Sequence, residues 1–165
     1  MTFRGLLDAL EVAVKEDLGA MQLPVKQEGW NDQPLSREVQ IFKQKVPPVT
    51  DVEQKIPYIL LQIVNGVDDV DSNGKNENTV SVRMVITIYD EDPDQGRLAV
   101  QNIVERLRVG LQRRGVIGKR FEITKPFEYA FYLDDTARYD PYHQAEIMTK
   151  WKIPPVERQI LPSGW

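Results

Sequence analysis

The feature that most constrains the fold is an alternating segment that runs directly into a strongly capped helix. In residues 78–89, apolar and polar side chains alternate, which predicts a strand with one face on a core. Asp92 then supplies a helix cap, Pro93 suits the first helical position, and Gln95 stands where a capping-box partner belongs. Apolar residues recur at helical spacing up to Gly115, which is suited to end the helix. The junction predicts a sheet whose apolar face is covered by a helix.

The other elements complete an α+β pattern. Residues 2–18 carry apolar side chains at helical spacing and predict a first helix that stops at Gly19. The segment 56–65 is nearly all apolar and predicts a strand that pairs with residues 78–89 across a loop at 66–77. We expect one domain, residues 1–165, with a mostly antiparallel four- to five-stranded sheet and two helices packed on one face. The remaining strands are predicted at 116–124, 127–133 and 146–153.

Two segments fall outside this regular pattern. Residues 19–55 contain four prolines and are irregular, apart from one possible edge strand within 36–46, where Lys43 and Lys45 would carry the charge that edge strands often show. An irregular stretch of this length is often a functional or assembly loop. Residues 154–165 are rich in proline and predict an extended C-terminal arm.

Composition narrows the class of protein. The chain has 165 residues, 41% of them apolar and 28% charged, which is ordinary for a soluble globular protein. The net charge of −4 does not indicate a nucleic-acid binder. The absence of cysteine excludes disulfides, thiol nucleophiles and cysteine metal sites. No apolar run is long enough for a membrane span and the start lacks a signal-peptide core, so we expect a soluble intracellular protein without a cofactor.

Charge reverses sharply at the strand–helix junction. Residues 56–95 carry eight acidic and two basic side chains, whereas residues 96–125 carry eight basic and two acidic ones. Part of this pattern suits the two ends of one helix dipole, because acids stabilise a helix start and bases a helix end. The excess charge favours head-to-tail pairing of copies, with a solvated helix end and contact with DNA backbone as the open alternatives. The interface candidates are Asp68, Asp69, Asp71, Arg106, Arg113, Arg114, Lys119 and Arg120.

Three patterns that resemble chemical sites have simpler interpretations. Residues 69–74 match the first half of a calcium loop, but the closing glutamate is replaced by Val80, which favours a hairpin turn. The acids at 90–94 suit helix capping better than a metal site. His143 has no cysteine or visible Ser–Asp arrangement beside it and is interpreted as a surface or packing residue. We therefore expect no catalytic residue, no metal site and no enzyme activity.

In element order and spacing, residues 56–154 resemble the tail terminator proteins of long-tailed bacteriophages and prophages, also called tail completion or minor tail proteins. The resemblance is carried by the segment from Pro57 to Val64, by the alternating strand 79–89 running into the acidic 90–97 segment, and by the helix at 98–111. It continues through Arg120-Phe-Glu and the late 145–154 segment. The resemblance covers order and spacing and assigns no individual residue.

The resemblance implies a structural role. Members of this family are small α+β proteins that form a ring, typically a hexamer, which caps the tail tube at its head-proximal end and stops tube polymerisation. The implied partners are other copies of the chain, the tail tube protein and the head–tail connector protein, with DNA only as passing cargo in the lumen and no membrane. The implied location is the virion tail, and the host cytoplasm during assembly. The alternatives are a head–tail connector or neck adaptor, and a small metal-dependent hydrolase using the 90–94 acids.

Overall fold

The computed structural model of the chain describes residues 2–27, 34–46, 56–133, 140–157 and 159. Two helices lie within these residues, α1 (Thr2–Leu18) and α2 (Pro93–Arg114). Helix α1 ends as predicted at Gly19, which has φ 62° and donates its N–H to the Lys15 carbonyl at 3.0 Å. The predicted apolar stripe of α1 is buried except for Phe3 in the first turn, which is 56% exposed.

Helix α2 begins and ends where the sequence predicts. The Asp92 carboxylate accepts hydrogen bonds from the N–H groups of Asp94 at 3.0 Å and Gln95 at 3.3 Å, and Pro93 occupies the first turn. Gly115 ends the helix with φ 69°. These caps satisfy backbone groups that have no partner inside the helix. The predicted stripe of Val100, Ile103, Val104, Leu107 and Leu111 is buried.

The strands form a mixed sheet of six and a separate pair. The large sheet has the order β3-β4-β5-β8-β7-β6, in which β3 and β4 are parallel and all other neighbours are antiparallel. Strands β1 and β2 pair only with each other. The strands are β1 (Gln22–Pro24), β2 (Ser36–Glu38), β3 (Gln40–Lys43), β4 (Tyr58–Val70), β5 (Asn76–Tyr89), β6 (Val116–Ile117), β7 (Phe121–Tyr132) and β8 (Tyr142–Ile153).

The α+β class with two helices is confirmed, whereas the sheet prediction was too small. The sheet has six strands rather than four or five, and it includes a parallel pair. The single edge strand predicted within 36–46 is two short strands, and only the second, β3, joins the large sheet. Lys43 of β3 binds Asp8 and Glu11 of α1 at 2.7 and 2.9 Å, so this edge strand is fastened to the helix above it.

Strand boundaries also differ from the prediction. The expected loop at 66–77 is mostly ladder, because β4 continues to Val70 and β5 starts at Asn76. In place of the two strands predicted at 116–124 and 127–133, the structure has a two-residue strand, β6, and one long strand, β7. Strand β7 continues past Pro126, with a shift of register between Thr124 and Glu128. Proline favours a break, but pairing with β8 on both sides of it holds the strand together.

The core lies between the helices and one face of the sheet. Alternate residues of β5 and β8 turn toward the helices, as predicted for β5, and their largest buried side chain is Trp151. Its indole N–H donates to the Thr149 hydroxyl at 2.8 Å, and that hydroxyl donates to the Val82 carbonyl at 3.2 Å. Residues 28–33 and 47–55 of the irregular segment, and 158 and 160–165 of the predicted C-terminal arm, lie outside the described residues.

Candidate assembly interface

The β4–β5 hairpin continues beyond the part of the sheet that the helices cover. We call residues 64–77 the hairpin arm. Along the strands, the end of α2 lies at the same height as Val80 of β5. The Gly115 carbonyl at the helix end accepts a hydrogen bond from the Ile123 N–H at 2.8 Å, and Ile123 pairs with Trp151, which in turn pairs with Val80. At about 3.3 Å per residue, the arm therefore extends roughly 15 Å past that level. Its outer edge has no neighbouring strand in the described parts of the chain, since β3 pairs with β4 only up to Leu61.

The arm combines exposed valines with uncompensated acids. Val67 and Val70 are 53% and 56% exposed. Asp69 stands directly opposite Glu77 in the ladder, and like charges in that position repel each other. Glu77 has Lys152 at 3.4 Å, whereas neither Asp68 nor Asp69 has a cationic partner among the described residues. The tip of the arm thus presents negative charge to its surroundings.

Asp71 has a structural role at the tip. Its carboxylate accepts hydrogen bonds from the N–H groups of Asn73 at 2.8 Å and Lys75 at 3.0 Å, and Gly74 follows with φ 77°. This is the geometry of a side chain that closes a tight turn. Val80, at the position of the calcium loop's closing ligand, is buried in the core. The hairpin-turn interpretation of residues 69–74 is therefore confirmed.

Two of the candidate arginines bind within their own subunit. The Arg106 guanidinium donates to the Leu18 carbonyl at 3.0 Å, at the negative end of α1. Arg114 pairs with Glu16 at 2.8 Å and with Asp17 at 2.5 Å, and these contacts raise the pKa of Arg114, with the Asp17 hydrogen bond as the largest cause. Both side chains fasten the end of α1 to α2, which makes them poor candidates for contact with a neighbour.

Asp17 lies deep between the helices. Its side chain is 7% exposed, and its Oδ2 atom is buried without a hydrogen-bond partner in the described structure. A Cβ added at Gly110 would lie 2.3 Å from the Asp17 carboxyl carbon. The close approach of this carboxylate to α2 therefore depends on a glycine at position 110, and Arg114 neutralises the charge that is buried there.

The remaining candidate cations form the free part of the basic surface. Arg113 and Lys119 are exposed, and neither has an acidic partner within the described ranges. Arg120 is also exposed and places its guanidinium 5.0 Å from the centre of the Phe121 ring, a cation–π contact. We call these three residues the basic end; it lies where α2 leads into β6 and β7.

The charged blocks of the sequence are arranged differently in space. The acidic block divides into the hairpin arm and the 90–94 turn, which lie at opposite ends of β5. Helix α2 has 22 residues and is about 33 Å long, so it carries the basic end away from the 90–94 acids and toward the level where the arm emerges. A neighbour could therefore receive the arm at its basic end without reaching the 90–94 turn.

The acids at 90–94 are engaged in local structure. The Asp90 carboxylate accepts the Asp92 N–H at 3.0 Å, and Glu91 accepts the Tyr89 hydroxyl at 2.7 Å. Burial, together with the Glu91 contact, raises the pKa of Tyr89 to about 12. Across the described ranges, no three His, Cys, Asp or Glu side chains are grouped as metal ligands would be. The geometry therefore fits capping, as the sequence predicts.

His143 packs against the start of α2. It is buried, its Nε2 atom lies 3.2 Å from the Asp90 carbonyl, and a Cβ at Gly96 would fall 2.2 Å from its ring. The position fits the packing interpretation. Neither helix of the described chain is long and apolar enough to cross a membrane.

No protein-family model matches the sequence, and no curated protein is significantly similar to it. The sequence shows the charged residues that are candidates for an interface, but the prediction missed that the β4–β5 ladder extends into the hairpin arm, which carries the acids. The available signal was Asn73-Gly74, which by itself closes a short turn and leaves residues 66–70 and 76–77 free to extend the ladder.

Proposed function

We propose that the chain is a structural protein of a phage tail that assembles with copies of itself into a ring, hexameric in the form the resemblance implies. The ring caps the tail tube at its head-proximal end and stops tube polymerisation. Its partners are the tube protein and the head–tail connector, DNA passes through the lumen without being a ligand, and the protein is located in the virion tail. No catalytic step is part of this proposal.

One observation carries the proposal. The subunit presents two different surfaces of opposite charge that its own fold leaves unneutralised: Asp68 and Asp69 on the hairpin arm, and Arg113 and Lys119 at the basic end. Different surfaces that complement each other produce a head-to-tail contact, and such contacts close into rings when the rotation permits. The order of elements adds support, since a helix, a hairpin, a second helix and further strands follow one another as in the tail terminator family.

Assembly of the tube in the presence of the chain tests the function. We expect purified tail tube protein from the same virus to form shorter tubes when this protein is added, with a ring visible at one end by electron microscopy. The Arg113→Glu variant is the negative control, because it reverses a charge at the basic end while leaving the core of the subunit untouched. Tube lengths that do not change would contradict the proposal, and binding to the connector without binding to the tube would favour the neck-adaptor alternative.

A further inference from the structure

The second long edge of the sheet is also open. On the edge of β7 that faces away from β8, strand β6 pairs only with Phe121 and Glu122, and no described strand pairs with that edge beyond this point. The register between β7 and β8 shifts between Thr124 and Glu128, so the ladder is irregular there. The two open edges, on β4 and on β7, lie on opposite sides of the sheet.

A groove of about 390 Å³ lies between the end of α2 and this part of β7. Val116, Ile123 and Phe127 form its apolar lining, and Val116 is 48% exposed. Lys125 lines it as well and donates a hydrogen bond to the Gln112 side chain. We call this feature the α2–β7 groove.

The charge of the α2–β7 groove is suited to an acidic occupant. Its charged lining residues are Lys125 and Glu122, and exposed Arg113 follows the lining residue Gln112 directly in α2. Lys119 lies in the turn just before β7. In sequence, Arg113 is one residue and Lys119 three residues from the nearest lining residue, and neither has an acidic partner in the described structure, so both add positive charge near a lining of balanced charge.

The hairpin arm has the complementary properties. It carries exposed Val67 and Val70 beside Asp68 and Asp69, so it offers apolar contact and negative charge at one place. No arm residue lines the α2–β7 groove of its own subunit. The groove belongs to α2, β6 and β7, whereas the arm leaves the sheet from β4 and β5, with β8 between them. An arm in the groove therefore comes from another copy.

We propose that the hairpin arm of one copy docks in the α2–β7 groove of the next, an inference that rests on the ring proposed above. Val70 contacts Val116 and Phe127, and Asp68, which lies on the same face of β4 as Val70, pairs with Arg113 and Lys125. Each copy gives an arm on one side and receives one on the other, which is a heterologous contact. Charge complementarity selects a second copy over an apolar peptide as the occupant.

Cysteine crosslinking tests the contact, because the natural chain contains no cysteine. Two single variants, Val70→Cys and Val116→Cys, are given tags of different mass, mixed at a concentration where the wild type is oligomeric, and treated with a short thiol-reactive crosslinker. We expect a heterodimer that carries both tags. The matched control mixes Val70→Cys with Val12→Cys, whose position on α1 is 58% exposed but lies away from the groove, and we expect at least tenfold less heterodimer.

The outcomes separate the contact from the function. Native mass spectrometry of the same mixtures records whether a ring is present. A ring without the Val70–Val116 heterodimer overturns the docking and leaves the ring proposal standing. Crosslinked chains without any closed species support the docking and contradict the ring. Equal crosslinking to Val12→Cys overturns the docking, and the absence of both ring and heterodimer overturns both proposals.

Discussion

Two arginines that are adjacent in sequence have different roles in this protein. Arg113 and Arg114 follow each other in the last turn of α2, and about 100° of helix rotation separates their directions. Arg114 reaches Glu16 and Asp17 of α1, whereas Arg113 is exposed without an acidic partner in the described part of the chain. The sequence offers no means of telling them apart, because the position of α1 relative to α2 is a tertiary property.

Charge reversal at these two positions should give different results. We expect Arg114→Glu to lower the free energy of unfolding by roughly 1–3 kcal/mol, since it leaves the buried Asp17 carboxylate without its hydrogen bond and beside a like charge. Arg113→Glu should change it by less than about 0.5 kcal/mol while weakening the oligomer. Urea unfolding and native mass measurement provide the two readouts. Equal destabilisation by both variants would contradict the assignment of these roles.

At the scale of elements, prediction succeeded where local chemistry decides and failed where pairing decides. Helix α2 carries its own cap, its apolar stripe and its terminal glycine, so its bounds were predictable. Strand β7 crosses Pro126 only because β8 holds it on both sides. The β4 part of the hairpin arm contains Gly66 and two aspartates, which disfavour strands, yet it extends a ladder that is already paired. A ladder is a property of two segments, and one segment read by itself does not reveal it.

A pair of like charges should make the hairpin arm less stable than it would be with opposite charges at the same two positions. Asp69 faces Glu77 across the ladder, so Asp69→Lys should replace a repulsion with an attraction and raise the free energy of unfolding by about 0.2–1 kcal/mol. The same change should weaken assembly, because it replaces negative with positive charge on the arm that the proposed docking brings close to Arg113 and Lys125. Thermal unfolding and native mass measurement test the two effects. Glu38→Lys, the same charge change on exposed β2, is the control, and an Asp69→Lys variant that assembles as well as this control would contradict the charge pairing.

At the scale of the whole molecule, the complementary surfaces occupy opposite sides of one sheet. The arm extends from β4 and β5, and the α2–β7 groove lies beside β7. A head-to-tail contact between the arm and the groove uses each of these two surfaces once per subunit, so a closed ring leaves neither surface free. It also leaves the 90–94 turn and the sheet face opposite the helices available to other partners.

Assembly should depend on salt in a way that folding does not. The electrostatic screening length falls from about 10 Å at 0.1 M salt to about 3 Å at 1 M, which weakens exposed charge pairs. We expect the oligomer to dissociate as sodium chloride rises across this range, while the urea midpoint changes little because the core is apolar. Sedimentation at several salt concentrations measures this effect. Arg113→Glu should show a smaller salt dependence, and an oligomer strengthened by salt would indicate an apolar contact instead.

Because the hairpin arm lies outside the core, it should open more easily than the rest of the subunit. Beyond Val80 its ladder is supported by backbone pairing and by few buried side chains, so it can open locally while the rest of the subunit stays folded. Amide hydrogens of the arm should therefore exchange with solvent faster than those in the middle of β5. In the ring we propose, a subunit built in this way brings a rigid body and a pliable extension to its neighbour, and the extension absorbs small differences in the angle at which successive copies meet.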